Sequence, residues 1–321
     1  MTVVCLGETM ALVAPDPPRP LAEAHGLRLA HAGAESNVAI GLAALGTPVQ
    51  WCSRLGDDAL GRRIAADVAA AGVGTGLVRF VATAPTGLML KDPEPGRTQV
   101  LYYRAGSAAS TMDASDADRA LDLRPELVHV TGVTPALSPS CAAVVDRVLD
   151  RAAADGVPVS LDVNLRPQLW PDLGTAAATL RRLAQRATVV FVGLDEAAAL
   201  WGCTGADDVR ACLDAPPVLV VKDGAGPATA FTGAGGTAVP ALGVPVVEPV
   251  GAGDAFAAGF LHAWLARRPL VAALRLGHLM AAEVLASSTD QAVLLDPAAL
   301  TAACDPAAPW PVPRPVPARE P

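Results

Sequence analysis

The sequence predicts an α/β fold, a parallel sheet covered by helices on both faces. Three observations carry that expectation. Short runs rich in valine and leucine alternate along the chain with alanine-rich runs of helical length. The short runs are apolar throughout instead of alternating, as strands buried on both faces are. Hydrophobic residues make up 52% of the 321 positions and aromatics only 4%. That composition suits close-packed helix-on-sheet layers and gives ample core for a large domain.

In chain order, strands are expected at 2–7 (TVVCLG), 127–132 (LVHVTG), 158–163 (PVSLDV), 188–193 (TVVFVG) and 217–224 (PVLVVKDG). Helices are expected at 36–45, 59–72, 139–156 and 175–187, where small and apolar residues recur at helical spacing. Two segments break this rhythm. Residues 9–31 hold extended pieces around a proline cluster, and 86–104 (TGLMLKDPEPGRTQVLYYR) reads as a hairpin turning over Asp92–Gly96. Both are assigned to a small accessory sheet, placed to cover the carboxyl edge of the main sheet where ligands bind in such folds. The domain is expected to span 1–304. The segment from Asp305 to Pro321 holds seven prolines and is expected to be an extended or disordered tail that is dispensable for stability and activity.

Charge and cysteine usage exclude several classes. With 24 basic and 32 acidic residues the net charge is -8, against nucleic-acid binding. The six cysteines form no CxxC pair, against a zinc site or disulfide framework and in favour of a reducing compartment. No signal peptide or membrane-crossing run is read from the sequence, and the cytoplasm is the expected setting. GxxxxGK[ST], GxSxG and HExxH are missing from the sequence, and the five scattered histidines are assigned structural roles.

One stretch carries chemistry. In EPVGAGDAFAAGF, Gly251, Ala252 and Gly253 precede Asp254 and a helical run. Glycines let the backbone turn tightly beside a ligand. A helix start turns free N–H groups and the positive dipole end toward an anion such as phosphate. An acid beside a bound phosphate suits acceptance of a proton from an attacking hydroxyl. An ordinary helix N-cap at Asp254 is the competing reading of the same residues.

Four stretches in order resemble the ribokinase-like (PfkB-type) carbohydrate kinases over roughly residues 1–300: AGAESNVAIGLAALG (32–46), SRLGDDALG (53–61), VKDGAGPA (221–228) and EPVGAGDAFAAGF (248–260). Within that family, YYRAGSAAS (102–110) and DVNLRPQLW (162–170) are similar to the 2-keto-3-deoxygluconate kinases. The resemblance implies a parallel-rich sheet with a small β-sheet lid, and ATP-dependent phosphorylation of a sugar acid's primary hydroxyl. The alternatives are a fructokinase or other ketose or ribose kinase, and a catalytically lapsed sugar- or nucleotide-binding regulator.

The resemblance also implies residue roles. Asp254 is the base, with Gly251, Ala252 and Gly253 as an anion hole. Gly33, Asn37, Tyr103, Arg104 and Arg166 hold the sugar. Lys222, Gly224, Gly226 and Gly277 lie along the nucleotide. Glu196 orders Mg2+, with K+ as a possible monovalent activator. A homo-oligomer, dimer or higher through the lid, is implied as well. Four positions depart from the family pattern: Ala32 for glycine, Gly193 for the asparagine of N-x-x-E, Glu248 for aspartate, and Met89 where the branch often has tyrosine.

Overall fold

The computed structural model describes residues 2–94, 97–246, 250–286, 302 and 304–310. The chain enters through β1 (Val3–Leu6), β2 (Met10–Pro15) and β3 (Leu27–Ala32), then α1 (Ala34–Ala44). Next come β4 (Val49–Gly56), α2 (Ala59–Ala70), β5 (Gly74–Val81), β6 (Leu88–Glu94) and β7 (Arg97–Tyr103). The middle runs α3 (Ala114–Asp122), β8 (Leu127–Thr131), α4 (Pro139–Asp155), β9 (Val159–Asp162), α5 (Leu173–Ala184) and β10 (Val189–Gly193). It closes with α6 (Leu194–Trp201), α7 (Ala206–Cys212), β11 (Val218–Lys222), β12 (Pro227–Thr232), β13 (Gly235–Pro240), α8 (Ala252–Leu265) and α9 (Leu270–Leu285).

Nine strands of the described residues form one sheet in the order β13-β12-β11-β10-β9-β8-β1-β4-β5. Pairing is parallel from β11 across to β5, and antiparallel only at the β11–β12–β13 edge. Along β1, Val3 and Cys5 join one core with α1, α8 and α9, while Val4 and Leu6 join a second core with α3, α4 and α5. That is the period-2 alternation of a strand buried on both faces. Strand order reverses between β1 and β8, and the loops at the carboxyl ends there open the crevice that holds the site.

The expected strands and helices are all present within a few residues. Four strands of the main sheet escaped the sequence reading: β4, β5, β12 and β13. In β4, Gln50, Ser53 and Arg54 interrupt the apolar pattern, yet Arg54 is buried because its guanidinium meets Asp113 and Asp116, each at 2.6 Å. β5 carries Gly74 and Gly76 at its start, which break its apolar run. Local signals mark the helix ends that were found. Asp58 accepts from Gly61 N–H at 2.7 Å at the start of α2, and α4 stops at Gly156, in the left-handed region at φ 70°.

The lid is a four-stranded sheet in the order β3-β2-β6-β7. Its two hairpin pairs are antiparallel, and β2 joins β6 in parallel. The hairpin turn at 95–96 lies outside the described residues. Met10, Leu12, Ala32 and Met89 form the lid's own small core, so Ala32 packs where the family has glycine.

The tail departs from expectation. Residues 305–310 are docked on the domain: Arg275 donates to the carbonyls of Asp305 and Ala308, and the Trp310 indole N–H donates to the Pro240 carbonyl. A lone tryptophan and one buried arginine outweigh the proline-rich composition here. Residues 311–321 lie outside the described residues. Among the described residues, no helix is long and apolar enough to cross a membrane.

Candidate active site

α8 begins at Gly251, whose φ of 85° lies in the left-handed region that glycine enters at low cost. Gly251 is therefore the N-cap, and Asp254 is the third helical residue, which removes the reading of Asp254 as a cap. Gly251 has no side chain with which to cap this helix start. The first-turn N–H groups of Ala252 and Gly253 are directed with the dipole toward the crevice.

Two cavities meet at this helix start. One, of about 580 Å³, lies under the lid and is lined by Glu8, Asn37, Tyr102, Arg104, Arg166 and Asp254 among others. The second, of about 640 Å³, is mostly apolar, walled by Ala241–Val244, Phe256, His278 and Ala282. Lys222, Gly224 and Gly253 line both.

Asp254 is 8% exposed. Asn37 Nδ2 donates to its Oδ2 at 2.9 Å, and Asn164 Nδ2 lies 3.4 Å from its Oδ1. Burial pushes its carboxyl up to about 7, and nearby Asp162 adds to that. The Asn37 bond, Arg166 and Lys222 pull the other way. A carboxyl tuned near neutral pH suits a general base. Asn164 itself holds φ 40°, a left-handed conformation that asparagine tolerates better than most residues.

Lys222 Nζ meets Asp162 Oδ2 at 2.8 Å. Burial lowers its pKa and the surrounding carboxylates of Asp162, Glu196 and Asp254 raise it, with a net rise. It therefore stays a cation beside Gly253. Glu196 accepts from the N–H groups of Leu165 at 2.7 Å and Gly193 at 2.8 Å. Its own carboxyl is raised by burial and by Asp162, against Lys222 and those N–H groups.

The residues fit a hydrated Mg2+. Among the described residues no cluster of three metal-binding side chains forms a cage. Mg2+ keeps several waters and takes one or two carboxylates with substrate phosphates, and Glu196, held by two backbone N–H groups, is a fixed carboxylate lining the cavity. A Cβ at Gly193 would stand 3.2 Å from Glu196 Oε2 and 2.5 Å from Asp195 Oδ1, so glycine here leaves room for the carboxylate. Glu248, the candidate monovalent-cation residue, lies outside the described residues.

Most of the expected site residues converge: Gly33, Asn37, Arg104, Arg166, Glu196, Lys222, Gly224, Gly251, Gly253 and Asp254 all line the lid cavity, and Ala252 lines the apolar one. Gly33 is required by close approach, since a Cβ would stand 2.4 Å from the Glu8 carbonyl. Three do not converge. Tyr103 is 60% exposed, because neighbours on a strand point to opposite faces; Tyr102, in register with Arg104, faces the cavity. Gly277 sits under Phe256, whose ring would be 2.9 Å from a Cβ there, so Phe256 forms the wall and Gly277 supports it. Gly226 belongs to the β11–β12 turn, bonded to Asp223 and Ala241, and lines neither cavity.

The sequence reading missed Glu8, Asn164 and His278. Glu8 is buried, accepting from Arg104 Nε at 2.7 Å and Ser107 Oγ at 2.5 Å. Arg104 is thus neutralised within the lid cavity. Arg166, by contrast, makes no ion pair among the described residues and donates only to its neighbouring carbonyl, that of Leu165.

A buried acid at an uncapped helix start, with a cation and a sugar-sized cavity beside it, defines a phosphotransferase that acts on an alcohol group. Residues 1–296 match the family model described as pfkB family carbohydrate kinase, and the chain belongs to that family. It is 35% identical over 269 residues to the 2-dehydro-3-deoxygluconokinase of Bacillus subtilis, covering 81% of this chain and 82% of that one. Its fold is ribokinase-like. It superposes with a TM-score of 0.83 on the crystal structure of a PfkB protein from Polaromonas sp. JS666, at 37% identity, covering 90% of this chain and 97% of that one. A fructokinase from Xylella fastidiosa with bound ATP matches at a TM-score of 0.82 and 28% identity, covering 93% and 97%.

Proposed function

We propose that the chain is an ATP-dependent kinase of a sugar acid, with 2-keto-3-deoxygluconate (2-dehydro-3-deoxygluconate) as its substrate and the 6-phosphate as its product. The observation that carries this reading is Arg166: a guanidinium in the lid cavity with no carboxylate partner among the described residues. A substrate carboxylate offers it a bidentate, charge-assisted contact and removes the cost of an unpaired cation. The name of the Bacillus subtilis relative supports the same substrate.

In this mechanism the lid cavity holds the sugar and the apolar cavity the nucleotide. The Oδ1 atoms of Asn37 and Asn164, each buried without a protein partner, accept sugar hydroxyls. Asp254 takes the proton of the primary hydroxyl as its oxygen bonds to the γ-phosphorus of ATP, and the bond from that phosphorus to the β–γ bridging oxygen breaks to release ADP. The N–H groups of Gly251, Ala252 and Gly253 stabilise the charge on the group in flight, and Lys222 adds a fixed positive charge at the junction. Mg2+, when bound, neutralises charge on the phosphates, and Glu196 holds its water shell in place. The lid excludes water from the attack. Tyr103 and Leu27, large and exposed on the lid strands, support assembly of copies through the lid, which sedimentation of the purified chain tests.

A second reading keeps its force from Glu8. Because Glu8 already neutralises Arg104, only one of the two arginines calls for an acid, which leaves room for a neutral ketose. The kcat/KM of the purified enzyme across 2-keto-3-deoxygluconate, its galactose-derived epimer, fructose and ribose decides between them. The acid reading expects the first two to be preferred by more than tenfold, and a preference for fructose overturns it.

A further inference from the structure

Trp310 stands outside the apolar cavity but touches two parts of its frame. Its indole N–H donates to the Pro240 carbonyl at 2.9 Å. Pro240 ends β13, and the next residues, Ala241, Leu242 and Gly243, form one wall of the cavity. The Trp310 ring also lies 6.4 Å, centroid to centroid, from His278, which lines the cavity from α9. His278 is fixed in turn: a ring nitrogen meets the Val239 carbonyl at 2.9 Å, and the ring stands edge-on to Phe256 at 5.2 Å.

The indole is itself held in place. The guanidinium of buried Arg275 lies 5.0 Å from the ring centre. The same group donates to the Asp305 and Ala308 carbonyls at 2.5 and 2.9 Å, closing the tail segment into a turn over α9. A stacked, hydrogen-bonded guanidinium of this kind fixes a ring more tightly than apolar contact alone.

We infer that Trp310 is a positioning residue for the nucleotide, clamping the β13 wall and His278 of the apolar cavity into the shape that receives it. The inference rests on the assignment of that cavity to ATP. A wall ordered in advance spares the ligand the entropy of ordering it, so the clamp acts on nucleotide affinity. The sugar cavity shares no wall residue with Trp310 or its partners Arg275 and His278, so sugar affinity is left alone.

The test compares Trp310→Phe, Trp310→Ala and a chain ending at Cys304, each checked for an intact melting transition, with KM for ATP measured at saturating sugar and KM for the sugar at saturating ATP. Trp310→Phe keeps an aromatic ring and loses the bond to Pro240 with the five-membered half of the indole, a smaller change than alanine, so it remains informative if the other two fold poorly. The expected result is a KM for ATP raised about three- to tenfold, the worth of one hydrogen bond and its support, with sugar KM unchanged. Phe should fall between the wild type and Ala. An unchanged ATP KM in all three variants, or equal rises in both KM values, overturns the inference. Ala282→Phe, which fills the cavity from α9, separates this failure from that of the underlying assignment. If it too leaves ATP KM unchanged, the nucleotide binds elsewhere and the inference falls with that reading.

Discussion

The Asn37 amide donates to Asp254 Oδ2 across 2.9 Å, joining residues 217 positions apart. Because a hydrogen bond to the ionised carboxylate favours that form, Asn37 holds down a pKa that burial has raised to about 7. The base is active when deprotonated, so kcat/KM should rise with pH through about 7. Asn37→Leu removes the restraint, and the acid limb should move to higher pH. A limb that stays in place, or moves down, contradicts the assignment of Asp254 as the titrating base.

Asp254→Asn should lower kcat by about two to four orders of magnitude while ATP still binds. Its effect on stability has the opposite sense. The folded-state pKa, about 7, exceeds the ordinary 3.8, so between those values the unfolded chain has released a proton that the native state retains. Wild-type stability therefore falls as pH rises through that window. The asparagine variant should gain melting temperature relative to wild type between pH 4 and 7, with little further gain above. An equal difference at pH 4 and pH 8 would show that Asp254 does not titrate in this way.

The two arginines of the lid cavity should respond differently. Arg104→Ala removes a cation already matched by Glu8, and leaves that buried carboxylate unpaired. Its cost should appear as lost stability and a raised KM for every sugar. Arg166→Ala should erase the preference for acids over neutral sugars, by about 1.5–3 kcal/mol for a charge-assisted contact. Ratios of kcat/KM for the acid and for fructose in both variants measure this. A larger loss of preference in Arg104→Ala reverses the roles.

Glu196→Gln removes the charge and keeps only one of the two backbone bonds, since the Leu165 N–H reaches Oε1, the Gly193 N–H reaches Oε2, and an amide offers a single oxygen. The Mg2+ concentration for half-maximal rate should rise about tenfold or more, the usual loss when a metal's outer partner is altered. Titration of activity against Mg2+ at fixed ATP reads it, and an unchanged midpoint removes Glu196 from the metal's surroundings.

Gly33→Ala places a Cβ 2.4 Å from the Glu8 carbonyl and 2.8 Å from Thr9 Cα. Those are backbone atoms, so the lid's root must shift, at a cost of about 1–3 kcal/mol. Glu8 would then carry Arg104 with it, raising sugar KM while ATP KM holds. Thermal unfolding and the two KM values check this, and a variant as stable as wild type refutes the packing argument.

The sequence made legible whatever depends on neighbours in the chain. The buried strands announced themselves by unbroken apolar runs, and the proposed base, Asp254, by its glycine turn. What depends on the fold was hidden. Tyr102 and Tyr103 are equivalent as letters, and only the strand's facing decides which meets the cavity. Glu8 reads as an ordinary acid after the first strand until Arg104 arrives from 96 positions away. Arg54 disguised β4 because its partners, Asp113 and Asp116, stand on another element. The prolines around Trp310 gave no sign that Arg275 waits for it.

The shared wall of Lys222, Gly224 and Gly253 has a thermodynamic consequence. Two ligands that meet at the same three residues are coupled whenever one of them changes how those residues sit for the other. If occupancy by one settles Lys222 for the other, each lowers the other's dissociation constant, and by the same factor. Reciprocity makes that factor measurable from either direction, with a non-hydrolysable ATP analogue and the sugar titrated in both orders. Saturation with either ligand then lowers the concentration of the other that half-fills its cavity, a property written into one lysine and two glycines.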